Sequence, residues 1–182
     1  DTGPPYGAHA DAGSRVVLPY LQALGVRSLD GVVLSHDDSD HVGGARSIAG
    51  ALDVERWWSS GEAAAIAGDA AMVTPCMSGM RWNWDGVEFA FLHPDGEAPR
   101  PAGRRHDNDR SCVLRVANPA GVLLLLGDVE SAGEQAMLAR HGEAALAADV
   151  VVSGHHGSRS SSSAALVDAT LRLPAASLPA RA

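Results

Sequence analysis

Lysine is absent from this chain of 182 residues, and all 14 basic residues are arginines. The chain has 22 acidic residues, so its net charge is −8. This charge disfavours nucleic-acid binding by overall electrostatic attraction. Aromatic residues make up only 4% of the chain, but hydrophobic residues reach 46%, which is typical of a folded globular domain. A disordered chain is therefore excluded.

Cysteine and long apolar runs are also scarce. Cys76 and Cys112 allow one disulfide and cannot form a zinc site of four thiolates. Apolar runs such as residues 122–126 fall far short of the roughly 20 residues that cross a bilayer, so we expect no transmembrane helix. The chain begins at Asp1 without a basic or apolar leader. We expect a single domain over residues 1–182, taken from a larger membrane protein.

Short strands alternate with helices in the hydrophobic pattern, which predicts an α/β (α+β) fold. Ser14 is expected to cap the first helix, and Asp85-Gly86 predicts a hairpin turn. The predicted helices cover residues 14–25, 45–52, 63–71, 132–140 and 163–171. The predicted strands cover residues 31–34, 80–84, 87–92, 111–116, 122–126 and 149–152, and residues 94–109 are predicted to form a loop.

Three of the predicted strands run directly into polar residues. These residues are His36, Asp38, Asp40 and His41 after the first strand, Asp128 after the fifth, and His155 and His156 after the sixth. The carboxyl ends of strands are where α/β proteins usually build their sites. A mixture of imidazole and carboxylate donors is what divalent metals prefer. The three clusters together predict a metal centre.

These motifs resemble the metallo-β-lactamase superfamily, and more closely the C-terminal metallo-β-lactamase-like domain of the ComEC family of DNA-uptake channel proteins. The matching strings are Asp1-Thr2-Gly3, Ser35-His36-x-Asp38-x-Asp40-His41, Trp82-x-Trp84-Asp85-Gly86, Asn108-Asp109-x-Ser111-Cys112, Leu125-x-Gly127-Asp128 and His155-His156-Gly157-Ser158. The resemblance implies an αββα sandwich. We expect this sandwich to be truncated at both ends, because the opening and closing strands of the family have no counterpart here.

The resemblance implies two divalent metal ions that share one set of ligands. The first ion is assigned to His36 and Asp38, the second to Asp40, His41 and His156, and Asp128 is expected between them. Asp38 stands where the wider superfamily has a histidine, and Asn108 replaces its middle histidine. These departures make the first site richer in oxygen, so both zinc and manganese stay open. We expect no small organic cofactor.

The resemblance also implies a nuclease that degrades the non-transported DNA strand during natural transformation. Its partners would be single- or double-stranded DNA and the transmembrane channel portion of the same protein, on the periplasmic or extracellular side of the inner membrane. Asp40 is expected to orient the attacking water, and His155 either meets the substrate phosphate, which we favour, or is a spare surface residue. The expected substrate contacts are Asn108, Ser158, Arg104 and Arg105.

The sequence leaves several alternatives open. A small-substrate hydrolase of the same fold, such as a phosphorylcholine esterase or a lactonase, would fit the motifs, as would a degenerate domain that only binds DNA or a partner. The segment after Ser158 is either a serine-rich turn or an anion site at the start of the helix over 163–171. We expect Trp82 and Trp84 to pack within the sheet rather than stack on bases. The implied oxidising location predicts a Cys76–Cys112 disulfide.

Overall fold

The computed structural model describes residues 1–61, 73–96 and 108–171. These residues belong to two compact units, the first with residues 1–61 and 73–76 and the second with residues 77–96 and 108–171. Strands and helices occur in both units, so the predicted α/β character is confirmed. The helix expected at 63–71, the greater part of the loop expected at 94–109 with Arg104 and Arg105, and residues 172–182 lie outside the described residues.

The first unit contains short strands and helices in alternation. Its strands are β1 (Pro5–Gly7), β2 (Ala10–Asp11), β3 (Ser28–Leu29), β4 (Val32–Leu34), β5 (Asp53–Val54), β6 (Trp57–Ser59) and β7 (Val73–Pro75). Its helices are α1 (Leu18–Ala23), α2 (Ser39–Val42) and α3 (Ala45–Ala51). Strand β6 pairs in parallel with β4 and with β7, while β3 pairs in parallel with β5. Side chains from these helices and strands form one apolar core, which includes Leu18, Leu34, Ile48, Val54 and Trp57.

The start of the first helix differs from the prediction. Helical backbone begins at Gly13, in a π-helical turn over Gly13–Val17 that leads into α1. Ser14 does not cap this helix; its backbone N–H donates instead to Asp11 Oδ1 at 2.7 Å. Asp11 also accepts a hydrogen bond from Ser47 Oγ, and this bond is the main reason why the pKa of Asp11 lies below its ordinary value.

The second unit is a sheet covered by helices. Its strands are β8 (Arg81–Trp84), β9 (Val87–His93), β10 (Val113–Asn118), β11 (Gly121–Leu125) and β12 (Val150–Val152), in the order β12-β11-β10-β9-β8. Its helices are α4 (Ser131–His141), α5 (Glu143–Leu146) and α6 (Ala164–Leu171). Neighbouring strands are antiparallel except β11 and β12, which are parallel. The core joins strand and helix side chains, among them Leu92, Val113, Leu124, Met137, Leu146 and Leu166.

The β8–β9 hairpin has the turn that the sequence predicts. Asp85 and Gly86 both have positive φ angles, of 49° and 82°, as a type I′ turn requires. Trp82 lies across the pair from Phe89, and their rings stack with centroids 5.2 Å apart. Trp84 meets the same ring edge-on at 5.2 Å. The expectation that the two tryptophans pack within the sheet is confirmed.

Two further predictions concern the membrane and the cysteines. Within residues 1–61, 73–96 and 108–171, no helix has the length and apolar character needed to cross a bilayer.

Cys76 and Cys112 are both buried, and neither is a free thiol. The expectation of oxidised cysteines is therefore confirmed.

Two carboxylates fix the amino ends of α4 and α6 in the second unit. Asp109 Oδ1 accepts hydrogen bonds from the backbone N–H groups of Glu130 and Gly133, at the start of α4. Glu134 is fully buried and accepts from the N–H groups of Ser162 and Ser163, just before α6. Asp109 thus connects the segment before β10 to the start of α4, and Glu134 connects α4 to the loop that follows β12.

Replacing Glu134 by alanine is expected to lower the free energy of unfolding by about 3 to 6 kcal/mol. The substitution leaves two partly buried N–H groups without their charged acceptor, and each such bond contributes about 1.5 to 3 kcal/mol. Urea unfolding followed by circular dichroism measures the change. Asp168→Asn, on the exposed face of α6, is the control and should change stability by less than about 0.5 kcal/mol. A loss below about 1 kcal/mol for Glu134→Ala would contradict the role given to this bond.

Candidate metal centre

The first ligand cluster follows the end of β4. Ser35 and His36 come directly after the strand, and α2 begins one residue after Asp38, so that the chain turns back and brings His41 beside His36. The two imidazole rings lie with centroids 4.2 Å apart, and both side chains are buried. Four of the predicted ligands of this unit are thus close together, as expected from their spacing.

One hydroxyl group holds both histidines of this cluster. Ser35 Oγ lies 3.0 Å from His36 Nδ1 and 3.2 Å from His41 Nδ1, and it donates its proton to Asp1 Oδ2 at 3.0 Å. The same Asp1 oxygen lies 3.0 Å from His41 Nδ1. Because the single hydroxyl proton goes to Asp1, the Ser35 oxygen can only accept from the imidazoles. Nδ1 of each ring is therefore the donor toward this cluster, and Nε2 lies on the other side of the ring.

Each Nε2 atom of this cluster faces a carboxylate. His36 Nε2 lies 3.6 Å from Asp38 Oδ2, and His41 Nε2 lies 3.6 Å from Asp40 Oδ2. Two donors bound to one ion at about 2.1 Å and at the tetrahedral angle are about 3.4 Å apart. The observed separations are close to this value and longer than a hydrogen bond. The donor pairs of the first unit therefore fit divalent metal ions.

The segment Asp1-Thr2-Gly3 places the Asp1 carboxylate under the histidines. The Thr2 N–H and hydroxyl both donate to the carbonyl of His41, at 2.7 and 2.9 Å, and Gly44 N–H donates to the carbonyl of Gly3 at 3.1 Å. A Cβ atom on Gly44 would lie 2.4 Å from the Thr2 carbonyl oxygen, so a side chain cannot fit there. Gly44 is thus required for the backbone approach that brings Asp1 to Ser35 and His41.

The second ligand cluster follows the parallel strands β11 and β12. Parallel neighbours end at the same edge of a sheet, so the residues after Leu125 and Val152 come together. His156 Nε2 lies 3.5 Å from Asp128 Oδ2, again close to the separation of two ligands on one ion. The Asp128 side chain is buried, and the backbone N–H of Asp128 donates to Ser111 Oγ at 3.0 Å. Asp128 and His156, two of the predicted ligands, thus lie close together within this unit.

His155 is held by a carboxylate that the sequence did not indicate. Its Nδ1 lies 2.9 Å from Glu130 Oε1, and its Nε2 lies 3.9 Å from Asp128 Oδ2. His155 and His156 both adopt left-handed backbone, with φ angles of 46° and 52°, which non-glycine residues rarely do. Such strain concentrates at functional sites, where surrounding contacts enforce it. His155 is therefore part of the polar cluster around Glu130 and Asp128.

Hydrogen bonds keep the Glu130 carboxylate charged. Ser160 Oγ donates to Glu130 Oε1 at 2.7 Å, and this bond, followed by the one from His155, holds the pKa of Glu130 below its ordinary value. Asn108 belongs to the same cluster, with Nδ2 3.4 Å from His155 Nδ1. Asn108, an expected substrate contact, is thus placed beside His155.

The start of α6 does not offer the anion site considered for the segment after Ser158. The N–H groups of Ser162 and Ser163 already donate to the buried Glu134 carboxylate, and a second anion would be repelled there. Ser158 itself bonds to Ser160 Oγ at 3.0 Å, next to the cluster around His155. Of the two alternatives, the serine-rich turn agrees with the structure.

Three residues that hold the histidines were not assigned a role from the sequence. Ser35 lies in the first motif but carries no chemical signal of its own, while Glu130 and Ser160 lie 25 and 5 positions from the imidazole that they contact. A carboxylate two residues after Asp128 is the one signal that could have pointed to Glu130. The convergence of both clusters on one metal centre stays a prediction.

Comparisons with known proteins agree with the motifs. A family model described as the metallo-beta-lactamase superfamily matches residues 1–176. The chain is 39% identical over 155 residues to "Competence protein ComA" of Neisseria gonorrhoeae, with 84% of this chain and 20% of the relative covered. It is 37% identical over 159 residues to "Recombination protein 2" of Haemophilus influenzae, with 81% and 17% covered. It is 30% identical over 159 residues to "ComE operon protein 3" of Bacillus subtilis, with 82% and 20% covered.

The chain spans about a fifth of the length of these relatives. The resemblance to ComEC-family proteins is confirmed by them, and the mixed helices and sheets agree with the α/β sandwich of the matching family. Proteins of this family usually bind divalent metals, and both ligand clusters have the donors to do so. On the match over residues 1–176, the chain belongs to the metallo-beta-lactamase superfamily.

Proposed function

We propose that this domain is a metal-dependent phosphodiesterase that cleaves DNA, using two divalent ions of zinc or manganese. The proposed ligands are His36, Asp38, Asp40, His41, Asp128 and His156. The observation that carries the proposal is the fixed direction of the imidazoles. In the first unit Ser35 and Asp1 hold both rings through Nδ1, so that each Nε2 faces a carboxylate at 3.6 Å.

Bound divalent cations would supply a water that is nucleophilic at neutral pH and would neutralise charge on the phosphate oxygens. The residues of the chain provide orientation for this chemistry. Asp40, whose side chain is 49% exposed, can turn one carboxylate oxygen to the attacking water while it serves as a ligand. His155 presents Nε2 on the side of Asp128, where we propose that it contacts the phosphate.

DNA is the proposed substrate because the relatives are named for competence and recombination. We propose that the domain degrades the non-transported strand during DNA uptake, on the outer side of the inner membrane and joined to the channel portion of a longer protein. The relatives are about five times as long as the aligned region, which leaves ample chain for such a portion. Arg104 and Arg105 are proposed to contact the DNA backbone.

Replacing Asp40 by alanine is expected to lower cleavage of labelled DNA by at least about a hundredfold, because a ligand and the orientation of the water are lost together. The fold should persist, since the side chain is half exposed and contributes little to the core. Cleavage of single- and double-stranded DNA is measured with added zinc or manganese. Asp30→Ala, at an exposed position of the same unit, is the control. Undiminished cleavage by folded Asp40→Ala would rule out the two-metal mechanism.

Replacing Ser35 by alanine is expected to weaken metal binding by about 10- to 100-fold, as the loss of groups that orient ligands typically does. Without the hydroxyl, His36 Nδ1 loses its partner at 3.0 Å and the ring is no longer held in one tautomer. Isothermal titration calorimetry with zinc and manganese measures the affinity. Ser47→Ala serves as the control, because that hydroxyl bonds Asp11 instead of a histidine. Equal affinities of the two variants would contradict the role of Ser35.

Replacing Arg104 and Arg105 by glutamine is expected to weaken DNA binding and to reduce the slope of log K against log salt by about 1 to 2. Each lost phosphate contact releases roughly one counterion fewer. Binding to labelled DNA at several salt concentrations provides the slope. The double variant Arg27→Gln, Arg56→Gln, at two exposed positions, controls for net charge. If both double variants had the wild-type slope, the small-substrate esterase would become the stronger candidate.

A further inference from the structure

The first helical segment of the first unit is apolar on the side that faces solvent. It begins as the π-helical turn Gly13–Val17 and continues as α1 (Leu18–Ala23). Val16, Tyr20 and Leu24 recur every four positions, a spacing that places side chains on one side of a helix. Their exposed fractions are 56%, 65% and 62%. These three side chains are called the outer stripe below.

The opposite side of this helical segment already belongs to the core. Leu18 is buried, and Val17 and Leu21 pack against the same apolar cluster. A helix at the surface of a globular domain normally turns an apolar stripe to the core and polar residues to water. Here both sides are apolar, and Arg15 is the only charged residue of the segment. The packing of the first unit therefore does not account for the outer stripe.

The charge around the outer stripe has one sign. Residues 12–29 contain Arg15 and Arg27 and no acidic residue, in a chain whose net charge is −8. Both arginines are exposed, and neither forms an ion pair with a carboxylate of the residues that the structure describes. Exposed charges more than about 10 Å away are largely screened at physiological salt. A partner that touches the outer stripe therefore meets a local excess of positive charge.

This combination of groups matches the interface of an anionic membrane. An arginine can lay its aliphatic stem along an apolar surface while its guanidinium group reaches the lipid phosphates. Tyrosine, with an apolar ring and a polar tip, is enriched at the level of the lipid headgroups. A helix with such a face lies in the plane of the membrane, with its apolar side roughly 5 to 10 Å into the boundary of headgroups and acyl chains.

We propose that the outer stripe, together with Arg15 and Arg27, docks this domain on an anionic lipid surface. The helical segment lies flat on the membrane, and its other side stays packed on the first unit. Docking of this kind needs neither metal nor DNA, so it is independent of the proposed phosphodiesterase. It would give the first unit, with the ligand cluster that follows β4, a fixed orientation to the bilayer.

The test measures flotation of the 182-residue chain with lipid vesicles. One set contains equal parts of phosphatidylglycerol and phosphatidylcholine, and the other contains phosphatidylcholine alone. EDTA is present throughout, so that no metal ion can bridge acidic side chains to lipid phosphates. We expect at least about tenfold tighter binding to the anionic vesicles, because each arginine near an anionic surface contributes about a fivefold gain.

The double variant Tyr20→Ser, Leu24→Ser removes apolar area from the outer stripe. Binding to the anionic vesicles should weaken by at least about tenfold, since both side chains would be buried in the lipid. Both are exposed in the free chain, so the fold should persist, which circular dichroism checks. The matched control is Val167→Ser, Leu171→Ser, which removes two exposed apolar side chains four positions apart on α6 and should leave binding unchanged.

The double variant Arg15→Gln, Arg27→Gln removes the positive charge. Binding to the anionic vesicles should weaken by about tenfold or more, and the preference over neutral vesicles should disappear. The control is Arg56→Gln, Arg81→Gln, which changes the net charge equally. Its two arginines already pair with glutamates, at 3.0 and 3.2 Å, so binding should stay within about threefold of wild type.

Weaker binding of both outer-stripe variants, with both controls unchanged, supports the proposal. No binding of the wild-type chain, or equal binding to the two kinds of vesicle, would overturn it. Light scattering tests whether a second copy covers the outer stripe instead. A wild-type dimer that Tyr20→Ser, Leu24→Ser converts to a monomer would overturn lipid docking. If that variant does not fold, the arginine variant decides: unchanged binding overturns the proposal, and a loss of about tenfold supports it.

Discussion

An imidazole acts in a fixed direction only when its second nitrogen is held, and this constraint determines the contacts of three histidines, His36, His41 and His155. Ser35 and Asp1 hold His36 and His41 through Nδ1 in the first unit. Glu130 and Ser160 hold His155 in the same way in the second. In both places a hydroxyl lies between a carboxylate and a ring, so the two units use the same chemical device with unrelated residues.

These contacts require segments that are far apart in sequence to meet within hydrogen-bond distance. Asp1 reaches Ser35 because Gly44 allows the backbone of Asp1-Thr2-Gly3 to lie against the helix that carries His41. In the second unit the parallel pairing of β11 and β12 brings the residues after both strands to one edge of the sheet. The packing of each core thus has a direct chemical consequence, because it sets the distances between ring nitrogens and carboxylates.

The sequence indicated the candidate ligands but not the residues that hold them, and the reason is physical. The proposed metal ligands, such as His36 and Asp40, lie within a few positions of each other, and strand ends can be inferred from local hydrophobic patterns. Glu130 and Ser35 act through distant polar contacts, which have no period and no characteristic composition. The same limit explains why the sequence wrongly predicted that Ser14 caps the first helix. Ser14 has the residue type of a helix cap, but the acceptor in the structure is Asp11, whose carboxylate is also drawn to Ser47.

The negative charge of the two clusters also affects how DNA can approach them. The proposed ligands include the carboxylates of Asp38, Asp40 and Asp128, in a chain whose net charge is already −8. A DNA phosphate that approaches such groups is repelled, and only bound cations reverse the local field, because two divalent ions add about +4 to a small region. Arginine contacts alone add affinity without changing the sign at the cleavage site. In the proposed function, metal binding therefore has to precede productive DNA binding, and the orientation of the histidines controls both steps.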